Sequence, residues 1–348
     1  MLRNIIYGAA FIIVLFIATP VQAQQPAGQD YTFGNPMPLS QLGLMYTDRP
    51  MRAKSPFTVG PGRFQVETSV FSYLWDDNHF KRERISIGDT TLRVGFAKNL
   101  EAGVTIEPLI WQWLKNGVRE DDFGLGDTEF RLKYHVYGPN YPQTMLPQGE
   151  SALAVAPFFT LPTGTDDFGL DRMSFGVEVP IYFNVGGPFT VGLTPAIAYI
   201  PEGDVFADED DEYIRVSNAL ALFYPFQSDL AGFVEFFARA NTEEWSDWEG
   251  SMDGGILYQL TNEVQLNAAL SFGLTDEAPD FTTQFGFAWR FSYAACLCRY
   301  ERILRLTPFG RRRGKMPVHA ADGYEKRLTQ APGMRSPAEA PDCSRRGR

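Results

Sequence analysis

Long apolar stretches are almost missing from this sequence of 348 residues. The only uninterrupted apolar run extends from Ile5 to Ala18, after the basic Arg3 and before the small residues that end at Ala23. At about 14 residues, the run is shorter than the roughly 20 that a membrane-spanning helix needs, and its position is typical of a secretory signal peptide. We therefore predict a signal peptide over residues 1–23 and exclude a helical membrane protein.

Cysteine is also scarce, and all of it lies in the last sixth of the chain, at Cys296, Cys298 and Cys343. An exported protein can form disulfides, but residues 24–291 contain no cysteine. The stability of this part must therefore come from a large hydrogen-bonded framework.

Histidine is equally rare, with His79, His135 and His319 as the only examples. Hydrolysis needs a nucleophile, a base and an orienting group that converge on one site, and a zinc site needs His or Cys at ligand spacing. Neither pattern occurs outside the C-terminal tail, so we expect no enzyme, no cofactor and no metal site. One acidic run could offer oxygen ligands to calcium or magnesium, although it lacks the spacing of a calcium loop. This alternative site comprises Asp208, Asp210 and Glu212.

The charge is divided unevenly along the chain. Residues 292–348 hold 13 of the 31 Lys and Arg and 5 of the 42 Asp and Glu, a net of +8, which leaves −19 for residues 1–291. An acidic main part argues against a nucleic-acid partner. The basic residues 292–348 are predicted to be a disordered tail, either a frame-shifted or read-through extension or a periplasmic segment.

From Gly62 onwards, apolar and polar residues alternate with a period of two, which indicates strands. Phe130, Leu132 and Tyr134, for example, alternate with Arg131 and Lys133. Twelve such segments can be placed, and most are near the roughly 9 to 11 residues that a tilted transmembrane strand needs. The segments are Gly62–Tyr73, Thr90–Phe96, Leu100–Ile110, Asp127–Tyr137, Ser151–Leu161, Met173–Phe183, Phe189–Tyr199, Tyr213–Phe226, Leu230–Ala240, Ser251–Leu260, Val264–Leu274 and Thr282–Phe291.

The connections between these segments alternate between short turns and long polar loops. Short turns occur at residues 98–99, 184–188, 227–229 and 261–263, and the long loops are residues 74–88, 111–126, 162–172, 200–212, 241–250 and 275–281. Such sorting is typical of outer-membrane barrels. We therefore predict an all-β fold, a transmembrane antiparallel up-and-down β-barrel of about 12 strands over residues 62–291.

Two features disagree with this regular pattern. The connection of residues 138–150 is long where a short turn is expected. Four prolines also fall inside predicted strands, where each removes a ladder hydrogen bond, so these segments are either bulged or wrongly assigned. The prolines are Pro108, Pro157, Pro180 and Pro195.

The charged face of the strands must point into the barrel, because a charge on the lipid side costs about 2 to 4 kcal/mol near the midplane. The predicted lumen-lining residues are Glu67, Arg93, Glu107, Glu129, Arg131, Lys133, Glu178, Arg215, Glu235, Arg239, Asp253 and Arg290. Mixed charges fit a narrow wetted path that sets selectivity, or an interior sealed by salt bridges. Strand glycines such as Gly95, Gly103 and Gly192 favour the path because they leave room. The proline-rich segment 24–61 is expected to be periplasmic or to plug the barrel.

Three short motifs of this sequence can be compared with those of known families. The first extends from Thr47-Asp48-Arg49-Pro50 through Ser55-Pro56-Phe57-Thr58-Val59 to Gly62-Arg63-Phe64-Gln65-Val66-Glu67. Gly124-Leu125-Gly126-Asp127 and Leu161-Pro162-Thr163-Gly164 follow at strand ends. These motifs resemble a proteobacterial family of outer-membrane transporters named after the meta-pathway of phenol degradation. The resemblance implies a barrel that passes small, including aromatic, compounds, and it supplies no catalytic residue. It departs at the C-terminus, because similar proteins stop at an aromatic residue equivalent to Phe291.

We therefore expect a passive outer-membrane pore for small solutes. The expected partners are outer-membrane lipid, lipopolysaccharide, the solutes and the barrel assembly machinery. The resemblance implies that this machinery recognises the last strand through Phe287, Trp289 and Phe291. A structural or adhesive barrel without transport is the alternative, and a barrel enzyme of the lipase type is a distant third.

Overall fold

The computed structural model describes residues 31–78, 81–116, 118–142, 146–165, 168–170, 172–203, 210–242 and 247–292. The predicted signal peptide and the tail after Ser292 lie outside these residues. The described chain contains one short 3-10 helix, Leu39–Gln41, and is otherwise built from strands and connections. The strands are β1 Arg63–Asp76, β2 Lys81–Ile87, β3 Asp89–Ala97, β4 Leu100–Ile106, β5 Leu109–Asn116, β6 Val118–Gly124, β7 Thr128–Tyr137, β8 Ser151–Leu161, β9 Ser174–Glu178, β10 Ile181–Gly186, β11 Phe189–Gly203, β12 Asp210–Pro225, β13 Leu230–Asn241, β14 Glu249–Thr261, β15 Val264–Gly273 and β16 Phe281–Ser292.

The sheet closes into an antiparallel barrel. Twelve successive passes across the sheet each pair with the passes before and after them along the chain, and β16 pairs back onto β1 from Arg63 opposite Ser292 to Trp75 opposite Phe281. Closure removes the sheet edge, whose unpaired backbone groups lipid cannot hydrogen-bond. The predicted all-β up-and-down barrel of twelve passes is confirmed.

Sixteen strands make twelve passes because four passes are interrupted. The breaks fall at Gly88, at Glu107-Pro108, at residues 125–127 and at Val179-Pro180. Pro108 and Pro180 therefore lie between strands rather than within them, because proline cannot donate to the ladder. Pro157 and Pro195 remain inside β8 and β11.

Two predicted loops are wrong, because residues 74–88 and 111–126 contain most of β2, β5 and β6 and the end of β1. These strands lie at the long-loop end of the barrel. There, exposed Lys81 forms an ion pair with Glu83 at 2.8 Å on the outer face. On β2, polar residues occupy both faces of the strand, so the apolar alternation used to find strands is missing there.

The alternation separates the two surfaces of the wall. On β7, Lys133 is 1% exposed and points inwards, whereas Tyr134 is 52% exposed on the outside. Exposed apolar residues recur around the outer surface, including Leu92, Leu132, Val136, Val234, Ile256 and Phe285. In the described part of the chain, no helix combines the length and the apolar character needed to cross a membrane.

Candidate functional site

The N-terminal segment enters the lumen from the end that carries the short turns. Outside the wall, Phe33 stacks on Phe96, with ring centres 5.8 Å apart. From Met37 the chain runs inside the barrel, reverses around residues 49–55 and returns to β1. We call residues 37–61 the plug. It approaches the wall closely enough that a Cβ on Gly95 would lie 1.9 Å from the carbonyl oxygen of Gly60.

Three buried glutamates of the wall bind the backbone of the plug. Glu67 on β1 accepts hydrogen bonds from the amides of Asp48 and Arg49, at 2.8 and 3.1 Å. Glu235 on β13 accepts those of Arg52 and Ala53, at 2.9 and 2.6 Å. Glu101 on β4 accepts the amide of Val59 at 2.8 Å. Hydrogen bonds from amides to a carboxylate are charge-assisted, so these contacts fix the path of the plug.

Arg93 lies at the centre of a buried ionic network. Its guanidinium contacts Glu67 at 2.8 Å and Glu101 at 2.9 Å, and it donates to the carbonyl oxygen of Phe57 at 2.9 Å. Beside it, Lys133 Nζ donates to both carboxylate oxygens of Asp48 at 2.9 Å. Charges taken out of water need such paired and hydrogen-bonded partners. The plug therefore completes the charge balance of the lumen.

The charges around Asp48 decide its protonation state. Burial alone would raise the pKa of this carboxyl group, but the attraction of Arg93, Lys133 and Arg131 outweighs burial and lowers the pKa well below its ordinary range. Burial together with Arg131 lowers the pKa of nearby Lys54 from its ordinary value. Asp48 is therefore ionised at neutral pH and anchors the plug as an anion.

The long connection of residues 138–150 lies at the short-turn end of the lumen, where the plug enters. Asn140 accepts the amide of Thr58 at 2.8 Å and donates to the Thr58 hydroxyl at 2.8 Å and to the Lys98 carbonyl at 2.7 Å. Leu146 packs into the apolar cluster that holds Phe57. The length of this connection, which the sequence left unexplained, provides the contacts that retain the plug.

Two cavities lie on opposite sides of the plug. The cavity at the long-loop end has a volume of about 790 Å³ and contains many charged side chains, and we call it the outer vestibule. The cavity at the short-turn end has a volume of about 600 Å³ and is mostly apolar, and we call it the inner vestibule. Between them, Met51, Ala53 and Phe57 of the plug pack against Tyr182 and Phe223 of the wall.

The predicted lumen-lining residues all lie on the inner face, at three levels. Beside the plug, Glu67, Arg93, Arg131, Lys133, Glu235 and Asp253 contact or surround it. In the outer vestibule lie Glu107, Glu129, Glu178, Arg215 and Arg239. At the short-turn end, Arg290 donates to the carbonyl oxygens of Gly43 and Asn262 at 3.2 Å.

Glycine does not open the lumen as expected at two of the three positions named. Gly95 is covered by the plug, and a Cβ on Gly192 would lie 2.8 Å from the ring of Tyr182. Gly103 does lie beside Arg93 and Arg131. The free space is found instead where the wall carries alanine and serine, as at Ala198, Ser217 and Ala219 in the outer vestibule.

The last strand carries its aromatic residues at the seam between β16 and β1. Phe291 stacks on Phe64 with ring centres 5.5 Å apart and on Trp289 at 4.4 Å. Phe287 pairs with Thr68 across the same seam. The structure therefore places these residues on the closing strand, and their part in assembly stays a prediction.

The candidates for chemistry are dispersed. The ring nitrogens of His135 lie 2.9 and 3.0 Å from the carbonyl oxygens of Pro56 and Gly138, so this histidine holds backbone. His79, His319, the three cysteines and Asp208 lie outside the described residues, as does the side chain of Asp210. Glu212 is exposed and lies 3.8 Å from Arg172. Among the residues described, no group of three or more His, Cys, Asp or Glu is arranged to hold a metal ion.

The sequence analysis did not predict which plug residues contact the barrel wall. Asp48, Arg49 and Phe57 belong to the opening motif, and Arg49 forms a two-pronged ion pair with Asp89 at 2.6 Å. The signal was therefore present as a motif. Its contacts join residues that are distant along the chain, so only the closed barrel reveals the partners.

The family model described as "Putative MetA-pathway of phenol degradation" matches residues 47–291. An outer membrane channel from Pseudomonas putida F1 is similar in structure, with 14% identity and a TM-score of 0.50 over 66% of this chain and 95% of that chain. The NanC porin is 8% identical, with a TM-score of 0.41 over 65% of this chain and 98% of its own. No curated protein matches the chain. Because the family model covers well over half of the sequence, the chain belongs to the family of the MetA-pathway of phenol degradation.

Proposed function

We propose that this barrel is a pore through which small solutes, including aromatic compounds, diffuse passively across the outer membrane. The observation that carries the proposal is the pair of cavities, of about 790 and 600 Å³, on the two sides of the plug inside a closed wall. Their lining differs, being charged at one end and apolar at the other. A solute would lose water in stages and pass the plug at the narrowest level.

The outer surface supports a location in the outer membrane. Its exposed apolar residues would be costly in water but suit lipid, and barrels avoid the unpaired edges that lipid forbids. The short-turn end would face the periplasm, as in outer-membrane barrels generally. Lipid and lipopolysaccharide would contact the wall, and the assembly machinery would recognise Phe287, Trp289 and Phe291.

Conductance with a loosened plug tests the proposal. The full chain is reconstituted into planar bilayers, unchanged and with the double substitution Glu67→Gln and Glu235→Gln, which weakens the hydrogen bonds to four plug amides. We expect stepwise conductance from the unchanged chain and a severalfold increase in the double variant. Glu83→Gln, on the exposed outer face, is the control and should conduct like the unchanged chain.

Swelling of liposomes in aromatic acids, sugars and amino acids then ranks the solutes. Bilayers that stay silent with both the unchanged chain and the loosened variant would contradict a pore. The structural barrel is the second candidate, because the buried contacts of Arg93, Lys133 and Asp48 could serve to seal the lumen. That candidate predicts silence in both measurements.

A further inference from the structure

Three arginines meet in the outer vestibule beside two carboxylates. Arg52 of the plug contacts Glu249 at 3.1 Å and lies 3.7 Å from Asp253. Arg239 on β13 also forms an ion pair with Glu249. Arg215 on β12 lies on the same inner face, diagonally across from Arg239, because Ser217 pairs with Arg239 and Arg215 with Asn241. Diagonal neighbours of this kind are about 7 to 8 Å apart.

Arg215 differs from the other two in its partners. It donates to the Tyr213 hydroxyl at 2.6 Å and lies near the Asn241 side-chain oxygen at 3.5 Å. Among the described residues, no carboxylate oxygen lies within 4.0 Å of its guanidinium. Arg215 is therefore the arginine of this cluster without a carboxylate partner in the described part of the chain, and it borders the cavity.

Apolar surfaces adjoin this cluster. The Arg52 guanidinium lies 4.1 Å above the Phe237 ring, and Arg215 lies 5.4 Å from the centre of the Tyr213 ring. Ala198 packs with Tyr213 and also lines the cavity, as does Ala219. These small residues border the same cavity as the arginines, which leaves room there for a flat ring.

We propose that this cluster, Arg215 and Arg239 with Arg52, is a binding site for the carboxylate of a small aromatic acid. The planar guanidinium group matches a carboxylate in two-pronged geometry, and the ring of the solute would lie against Phe237 and the alanines. The proposal rests on the proposed pore function, because it makes the outer vestibule the place where solutes are first selected. The solute class is therefore an aromatic carboxylate rather than a neutral phenol.

Binding to the full chain in detergent tests the site without any need for transport. Benzoate, benzyl alcohol and acetate are titrated calorimetrically into the folded protein. Benzoate should bind at least tenfold more tightly than benzyl alcohol, which lacks the charge, and more tightly than acetate, which lacks the ring. Arg215→Met and Arg239→Met should each weaken benzoate about tenfold, and Arg215→Lys should weaken it less.

Arg82→Met is the matched control. It removes one positive charge from the same vestibule, but on β2, away from the proposed site on β12 and β13, where Arg82 contacts Asp76 at 3.0 Å. It should therefore change benzoate affinity less than twofold. Equal affinity for benzoate and benzyl alcohol, or an equal loss in Arg82→Met, would overturn the site. The gel mobility of the folded barrel checks each variant. A barrel that binds benzoate but never conducts would refute the pore and leave the binding site intact. A barrel that conducts but does not bind benzoate selectively would refute the binding site and leave the pore intact.

Discussion

At the scale of single residues, the interior of this barrel depends on charges that are almost completely withdrawn from water. Arg93 is 1% exposed, and Glu67 is fully buried. Arg93 and Lys133 are each compensated by carboxylates on another strand or on the plug, namely Glu67, Glu101 and Asp48. Removing one member therefore affects the remaining members more than the loss of a single contact would.

Arg93→Met should be strongly destabilising, because it leaves Glu67 and Glu101 without their guanidinium partner. Breaking a buried pair typically costs about 3 to 5 kcal/mol. The temperature at which the folded form loses its characteristic gel mobility measures the effect. Arg82→Met, at a partly exposed pair, should cost only about 0 to 1 kcal/mol, and equal shifts for both variants would contradict the central role of Arg93.

The lowered pKa of Asp48 gives a pH prediction. A depressed pKa in the folded state contributes stability above the pKa of the unfolded chain, about 3.9, and this contribution is lost as the pH falls through the folded value. Asp48→Asn should therefore destabilise the barrel equally at pH 7 and pH 5. Below about pH 4, the difference between the two proteins should shrink. A difference that already disappears by pH 5 would show that Asp48 is not held as an anion.

At the scale of the elements, most passes could be predicted from their alternation, since lipid and lumen demand opposite side chains. The ends of the long hairpins could not, because β2, β5 and β6 extend to where polar residues suit both faces. Likewise, the twelve inward charges followed from the cost of placing charge in lipid. Their plug partners did not, because pairs such as Ala53 with Glu235 join distant parts of the sequence.

The connection of residues 138–150 should control access to the plug. Asn140→Ala removes three hydrogen bonds made by the side chain to Thr58 and Lys98. The Thr58 hydroxyl and the Lys98 carbonyl keep the Tyr141 hydroxyl as a partner, but the Thr58 amide loses its acceptor, which costs about 1 to 3 kcal/mol for a buried group. We expect faster cleavage by trypsin after Arg52 and Lys54. Gln148→Ala, at an exposed position of the same connection, is the control. Identical cleavage rates for the two variants would mean that the connection does not retain the plug.

At the scale of the whole molecule, β16 completes the wall by pairing with both β15 and β1. A chain that ends at Phe291 keeps all but one of the residue pairs across the seam, since only Ser292 opposite Arg63 is lost. We expect this shortened chain to fold and insert into liposomes as efficiently as the full chain. If only the full chain inserted, residues 292–348 would have a part in assembly.

The plug is also held from opposite sides of the cylinder. Glu101 and Glu235 lie on passes that are six apart in a ring of twelve. They accept hydrogen bonds from the plug amides of Val59 and Ala53, respectively. The plug therefore acts as an internal strut across the diameter. Flattening the barrel along this diameter would compress the plug, and flattening it at right angles would stretch the attachments, so the strut favours a round cross-section.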